Sequence, residues 1–269
     1  MELNEENYYS TEANREYVSV SQFKQFFGTY GMRGCEYAAM EELNGRWSEE
    51  PSEAMLVGSY VDSYFESPES FERFKRNTPE LFTAKGELRA AYKHADEIIE
   101  RVKRDDFFMK YLSGEKQVIM TGEIGGAKVK IKIDSLTPGV AIVDLKTTKS
   151  ITKHEWVKDI GYLSFIEYWG YDIQGAVYQE IVRQNTGKKL PFYIAAVTKD
   201  KEPDIQVIHV TDNYLEPQLR AVESAMPKLL RIKNGEEKPD RCEACACCRH
   251  NRVLKAPISI DQLAAMAGI

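Results

Sequence analysis

Residues 117–148, QVIMTGEIGGAKVKIKIDSLTPGVAIVDLKTT, carry the pattern that decides the fold. Val129, Ile131 and Ile133 alternate with Lys128, Lys130 and Lys132, the period-two pattern of a half-buried strand. Gly125-Gly126 supplies the positive φ angles of a tight hairpin, so 117–122 and 127–133 read as two paired strands. Pro138-Gly139 turns the chain again, and 140–146 (VAIVDLK) reads as a third strand.

In an antiparallel pair about the second turn, position 134 faces residues near 142–144. Asp134 and Asp144 therefore come together on neighbouring strands. Like charges placed this way repel, and a hard cation such as Mg²⁺ between them removes the repulsion. Lys146 lies two residues beyond Asp144, on the same strand face. Two carboxylates and an ammonium are what phosphodiester hydrolysis needs. The cation lowers the pKa of a bound water and neutralises phosphate charge. The lysine orients the attacking water or stabilises developing negative charge. Taken alone, a D-x-K on a strand is also the pattern of a surface ion pair.

Outward from this stretch the period becomes helical. Residues 1–20 read as an extended arm, and Ser19-Val20-Ser21 caps a helix beginning near Gln22. A second helix starts near Cys35 and runs through Leu43. A third spans about 54–66 and ends before Pro68. A fourth covers about 86–104, with Leu88, Tyr92, Ala95, Ile99 and Val102 as its apolar stripe. After the third strand come a helix at about 163–184, strands at 191–198 and 205–211, and a helix at roughly 213–233. This order predicts an α/β (α+β) fold with a mixed central β-sheet flanked by helices. The 269 residues fit one elaborated domain. It comprises a helical segment (about 19–110), a core (about 111–212) and a C-terminal helix with a cysteine cluster (about 213–250).

The formal net charge of −6 argues against a chain that coats nucleic acid non-specifically. It leaves open a DNA enzyme with positive charge concentrated in a groove, and Lys128, Lys130, Lys132, Lys146, Lys149 and Lys153 give a local bias of that kind. No apolar run is long enough for a bilayer, and the start MELNEENYYS lacks the features of a signal peptide. The expectation is a cytoplasmic protein with no membrane partner.

Four of the five cysteines (Cys242, Cys245, Cys247 and Cys248) fall within seven residues, and Cys35 stands apart. An odd count without a signal peptide argues against a disulfide framework. The run Cys242-x-x-Cys245-x-x-Cys248 favours zinc or iron–sulfur over calcium or magnesium, with unmetallated thiols as the alternative.

IDSLTPGVAIVDLKTT resembles the heart of the PD-(D/E)xK nucleases, and most closely their RecB-like and RecE-like (phage exodeoxyribonuclease VIII-like) branch. Asp134 matches the first acidic position, Asp144 the second and Lys146 the lysine. Asp144-Leu145-Lys146-Thr147-Thr148 matches the branch's D-x-K-T-T. Gln174 and Tyr178 match its helical Q-x-x-x-Y and share one helix face. GSYVDSYFE (58–66) resembles its G-x-x-x-H segment, with Asp62 where many members carry histidine. Asp62 reads as an oxygen ligand or as a solvated helix residue. Glu115 reads as a surface charge. The likeness runs from about Ser19 to Arg249.

The resemblance implies a restriction-endonuclease-like core and an exodeoxyribonuclease dependent on Mg²⁺ or Mn²⁺, acting on linear double-stranded DNA. Asp134, Asp144, Asp62 and the Leu145 carbonyl would bind metal. Lys146 would assist the attacking water, and Gln174 and Tyr178 would support the substrate or the site. It also implies a [4Fe–4S] cluster on Cys35, Cys242, Cys245 and Cys248, with Cys247 able to replace Cys248 and Zn²⁺ as the alternative ion. Its setting would be phage recombination beside a single-strand annealing protein, with a homo-oligomer within the range of assemblies. Two other readings remain: an endonuclease on the same core, or a catalytically silent DNA-binding or scaffold module with a structural metal.

Overall fold

Gly125 and Gly126, at φ 56° and 79°, close the hairpin between β1 (Glu115–Ile124) and β2 (Ala127–Thr137). β3 (Ala141–Thr148) follows the Pro138-Gly139 turn and pairs antiparallel with β2. In this computed structural model, which describes residues 1–254 and 256–266, each of these strands is longer than the sequence predicts. β6 (Phe192–Thr198) runs parallel to β3, and β7 (Ile205–Val210) runs antiparallel to β6. The sheet order is β1-β2-β3-β6-β7, a mixed five-stranded sheet. A separate hairpin pairs β4 (Glu155–Val157) with β5 (Gly161–Leu163).

Helices cover both faces. Before the sheet come α1 (Thr11–Glu16), α2 (Val20–Phe27), α3 (Glu36–Leu43), α4 (Glu53–Glu66), α5 (Pro68–Asn77), α6 (Ala90–Lys103) and α7 (Asp106–Tyr111). Between β5 and β6 lie α8 (Phe165–Tyr168) and α9 (Tyr171–Thr186). After β7 come α10 (Asp212–Lys233), α11 (Ala246–His250) and α12 (Ile260–Met266). Among the described residues no helix is long and apolar enough to cross a membrane.

Alternation along the strands divides the core in two. Ile131, Ile133, Ile142 and Ile194 pack with Val177 and Ile181 of α9 and with Leu215 and Leu229 of α10. Val143, Leu145 and Val197 pack on Val57 and Val61 of α4 and on Ala95, Ile98 and Val102 of α6. Truncating a fully buried member such as Ile142 to alanine costs about 2–5 kcal/mol, enough to threaten a marginally stable fold.

Several local expectations are corrected. The N-terminal arm is not extended throughout. Ser10 caps α1, and Val18 forms a parallel bridge to Val129. The arm therefore covers part of the lysine face of β2, and Lys130 is only 1% exposed. Pro68 ends α4 but also begins α5: Ser67 caps α5, and proline suits the first helical turn, where its missing N–H is not needed. The helix expected at 86–104 starts at Ala90, because Leu88 bridges back to Phe82. The helix expected at 163–184 is split: Leu163 ends β5, Ser164 and Glu167 form a capping box on α8, and Gly170 in the left-handed region breaks the chain before α9.

Candidate active site

β2 and β3 pair only where Ser135, Leu136 and Thr137 face Val143, Ile142 and Ala141. Beyond Ser135 the ladder stops, and the strands form a fork. The Leu145 N–H donates to Asp134 Oδ2 at 3.0 Å. A side-chain carboxylate thus takes the place of a ladder carbonyl, which places Asp134 beside the root of Asp144.

Asp144 is 1% exposed, and its chain face points toward α9. Gln174 Nε2 donates to Asp144 Oδ1 at 2.7 Å. Lys146 Nζ stands 2.6 Å from Asp144 Oδ2 in an ion contact. Tyr178, one turn beyond Gln174, donates its hydroxyl to the Lys132 carbonyl at 2.9 Å. Gln174 therefore orients a carboxylate, and Tyr178 fixes β2 two residues before Asp134. Gly175 lets α9 lie this close, because a Cβ there would meet the Phe192 ring at 2.5 Å.

Asp62 arrives from α4. Gly58, one turn earlier, packs so tightly on β3 that a Cβ would stand 3.0 Å from Thr147 Oγ1. This close approach brings Asp62 to the fork, where its Oδ1 is buried with no hydrogen-bond partner. Glu115 is exposed at the start of β1, as the sequence suggests, and lines none of the cavities that meet Asp134.

Sequence reasoning missed several neighbours. Gln117 has φ 52°, unusual within a strand, and its Nε2 lies 3.4 Å from Asp134 Oδ1. The register of the Gly125-Gly126 hairpin puts position 117 opposite 134, so that signal was available in the sequence. Tyr171 places its ring 5.2 Å from Lys146 Nζ. A cavity of about 340 Å³ joins Asp62, Asp134, Asp144, Lys146, Gln174 and Tyr178 to Tyr8 and Tyr9 of the arm, Lys130 and Lys132 of β2, and Gln25 and Glu42 of α2 and α3. A second cavity of about 720 Å³ opens from Asp62, Gln117 and Asp134 toward Arg73 and Asn77 of α5.

Electrostatics reflect this crowding. Burial pushes the Asp144 carboxyl up to about 7; Lys146 works against that rise and Asp134 adds to it. Burial, with Asp134 next, raises Asp62 well above the usual carboxylate range. Burial opposes the charge on Lys146, but Asp144 and Asp134 outweigh it and raise its pKa. Lys24 falls to about 8, chiefly by burial and then by Lys146. Three converging carboxylates, two of them pushed toward the neutral form by burial and by Asp134, make a site that a divalent cation relieves. The unpartnered Asp62 oxygen adds an unused donor, so the residues fit a hard cation.

The cysteines gather in a second place, and none of them lines the carboxylate cavity. Cys35, Cys242, Cys245 and Cys248 point their Sγ atoms together, all within 4.8 Å of one another. Cys247 stands outside this set and takes a contact from Asn251 Nδ2 at 3.7 Å.

The family model for a PDDEXK-like domain of unknown function (DUF3799) matches residues 19–251. A crystal structure at 2.19 Å of a Eubacterium rectale protein named "putative exonuclease" is 68% identical, with a TM-score of 0.96 over 98% of this chain and 99% of that one. The structure of SSO0001 is 16% identical over 70% of this chain and 81% of that one, with a TM-score of 0.29. No curated protein matches the chain.

Proposed function

Because the chain belongs to this PDDEXK-like family, we propose that it is a divalent-metal-dependent deoxyribonuclease that degrades linear double-stranded DNA from its ends. The observation that carries the reading is the fork between β2 and β3, where Asp134, Asp144 and Lys146 meet and Gln174 orients Asp144. The similarity to the Eubacterium rectale protein, by its name, favours exonuclease over endonuclease.

Asp134 and Asp144 would hold Mg²⁺ or Mn²⁺, with Asp62 and the Leu145 carbonyl as further oxygen donors. When bound, the cation supplies an activated water and neutralises phosphate charge. The chain's own residues do the rest. Lys146, held protonated by the acids, presents an ammonium beside Asp144 that orients the attacking water or stabilises negative charge on the phosphate. Gln174 keeps Asp144 in one rotamer, and Tyr178 holds the strand that carries Asp134. Lys132 and Lys24 add positive charge at or near the cavity despite the net charge of −6. Phage recombination beside a single-strand annealing protein is the setting we propose, on the sequence resemblance alone.

The test uses end-labelled linear duplex DNA and a closed circle, each with Mg²⁺ or Mn²⁺, and compares wild type with Lys146→Ala and Asp144→Ala. Shortening of the linear substrate by wild type alone, with the circle intact, is the expected result. Cutting of the circle would replace the exonuclease by an endonuclease. Folded wild type that cuts neither substrate would leave a silent binding module.

A further inference from the structure

We infer that Cys35, Cys242, Cys245 and Cys248 hold one Zn²⁺ ion rather than an iron–sulfur cluster, and that this ion fixes the α2–α3 wall of the carboxylate cavity. The four Sγ atoms lie within 4.8 Å of one another. Cys35 and Cys248 are 3.6 Å apart, and Cys242 and Cys248 are 4.0 Å apart. Tetrahedral zinc with Zn–S bonds of about 2.3 Å needs sulfur–sulfur edges of roughly 3.8 Å. The thiols are therefore spaced around a single ion. A [4Fe–4S] cubane bonds each thiolate to its own iron, at the outside of the core of irons and sulfides. Thiolates 3.6 Å apart are in van der Waals contact and leave no room for that core.

The surroundings suit bound thiolates. Backbone N–H groups of Ala38, Cys245 and Cys248 point at the Sγ atoms of Cys35, Cys242 and Cys245, at 3.4, 3.3 and 3.4 Å. Such donors stabilise charge on a ligating sulfur and fix its direction. Cys35 and Cys248 are 6% and 0% exposed, so water does not serve them.

The position of the centre gives the ion its consequence. Cys35 caps α3, and its N–H donates to the Gln25 carbonyl of α2 at 2.8 Å. Gln25 of α2 and Ala39 and Glu42 of α3 line the same cavity as the carboxylates. Cys35 and Cys248 are 213 positions apart, so one ion closes a loop of most of the chain and anchors that wall to the C-terminal segment.

The experiment is metal analysis and zinc X-ray absorption on full-length protein, purified anaerobically from cells supplied with both iron and zinc. About one zinc per chain with four sulfur neighbours at about 2.3 Å is the expected result. Stoichiometric iron and sulfide, or folded protein with no metal on its cysteines, overturns the inference. Cys245→Ser should lose the zinc and Cys247→Ser should keep it; a Cys247→Ser protein without zinc would mean that the wrong four thiols were chosen. Amide exchange over residues 20–43 should speed up by about tenfold in Cys245→Ser or, if that variant does not fold, in wild type stripped by a chelator. Unchanged exchange there would sink the role of the ion in the wall. Neither readout needs turnover, so a protein that cuts no DNA leaves the zinc result intact.

Discussion

Asp134 Oδ2 accepts the backbone N–H of Leu145 at 3.0 Å. One carboxylate thereby ends the β2–β3 ladder and sets the position of the residue between Asp144 and Lys146. In an extended strand a residue's N–H and C=O share one edge, so the Leu145 carbonyl faces the same fork. Strand pairing and the proposed metal chemistry meet in this single hydrogen bond.

Asp134→Asn keeps an acceptor for the Leu145 N–H but removes one charge from the crowd. In metal-free buffer its melting temperature should rise, because Asp62 and Asp144 lose a repelling neighbour. DNA cleavage should fall by more than about 100-fold, beyond the usual cost of losing a supporting residue. Thermal melts in EDTA and a cleavage assay check both arms. A variant less stable than wild type would mean that the carboxylates do not repel.

Asp144 gives a pH dependence whose sign is fixed. Its folded pKa of about 7 lies above the ordinary carboxylate value, so the protonated form favours the folded state. That contribution is complete at low pH and is lost as pH rises from about 4 through 7. Metal-free protein should therefore lose this stability across that window, and Mn²⁺ should restore it most strongly above pH 7. Below pH 7 the proton competes, and apparent metal affinity should drop by up to about tenfold per unit. Urea melts from pH 5 to 8, with and without Mn²⁺, provide the measurement. Identical metal stabilisation at both ends would exclude Asp144 as a ligand.

Gln174 and Tyr178 should separate. Gln174→Ala frees Asp144 Oδ1 and should weaken metal binding and cleavage by about 10–100-fold. Tyr178→Phe loses one bond to the Lys132 carbonyl, worth about 1 kcal/mol, and should cost stability more than rate. Calorimetric Mn²⁺ titration beside cleavage rates distinguishes them. If Tyr178→Phe cripples cleavage as fully as Lys146→Ala, the hydroxyl acts on the substrate instead.

Lys130 should hold the N-terminal arm in place. It is 1% exposed and donates to the Tyr8 carbonyl and to Asn14 Oδ1. Lys130→Met leaves both acceptors unpaired, at a cost of about 1–3 kcal/mol. Limited proteolysis should then cut within residues 1–17 well before the rest of the chain. Equal protection in wild type and variant would show the arm held by its other contacts, the Val18 bridge to Val129 and the Lys233 bonds to the Asn14 and Tyr17 carbonyls.

The sequence by itself determined what depends on neighbours along the chain. Two turns, Gly125-Gly126 and Pro138-Gly139, set the registers of three strands, and register alone brings Asp134 opposite Asp144 and puts Lys146 on the same face as Asp144. Helical period located α2, α4, α6, α9 and α10 to within a few residues, apart from the breaks at Leu88 and Gly170. Only the tertiary structure decided the rest. Asp62 reaches the fork because α4 can press against Thr147 at Gly58. Lys130 is buried because a distant arm folds over it. Cys35 meets Cys248 because α10 returns the C-terminal segment to α3. Each of these is a contact between residues far apart in the chain, and local periodicity carries no information about which distant surfaces will meet.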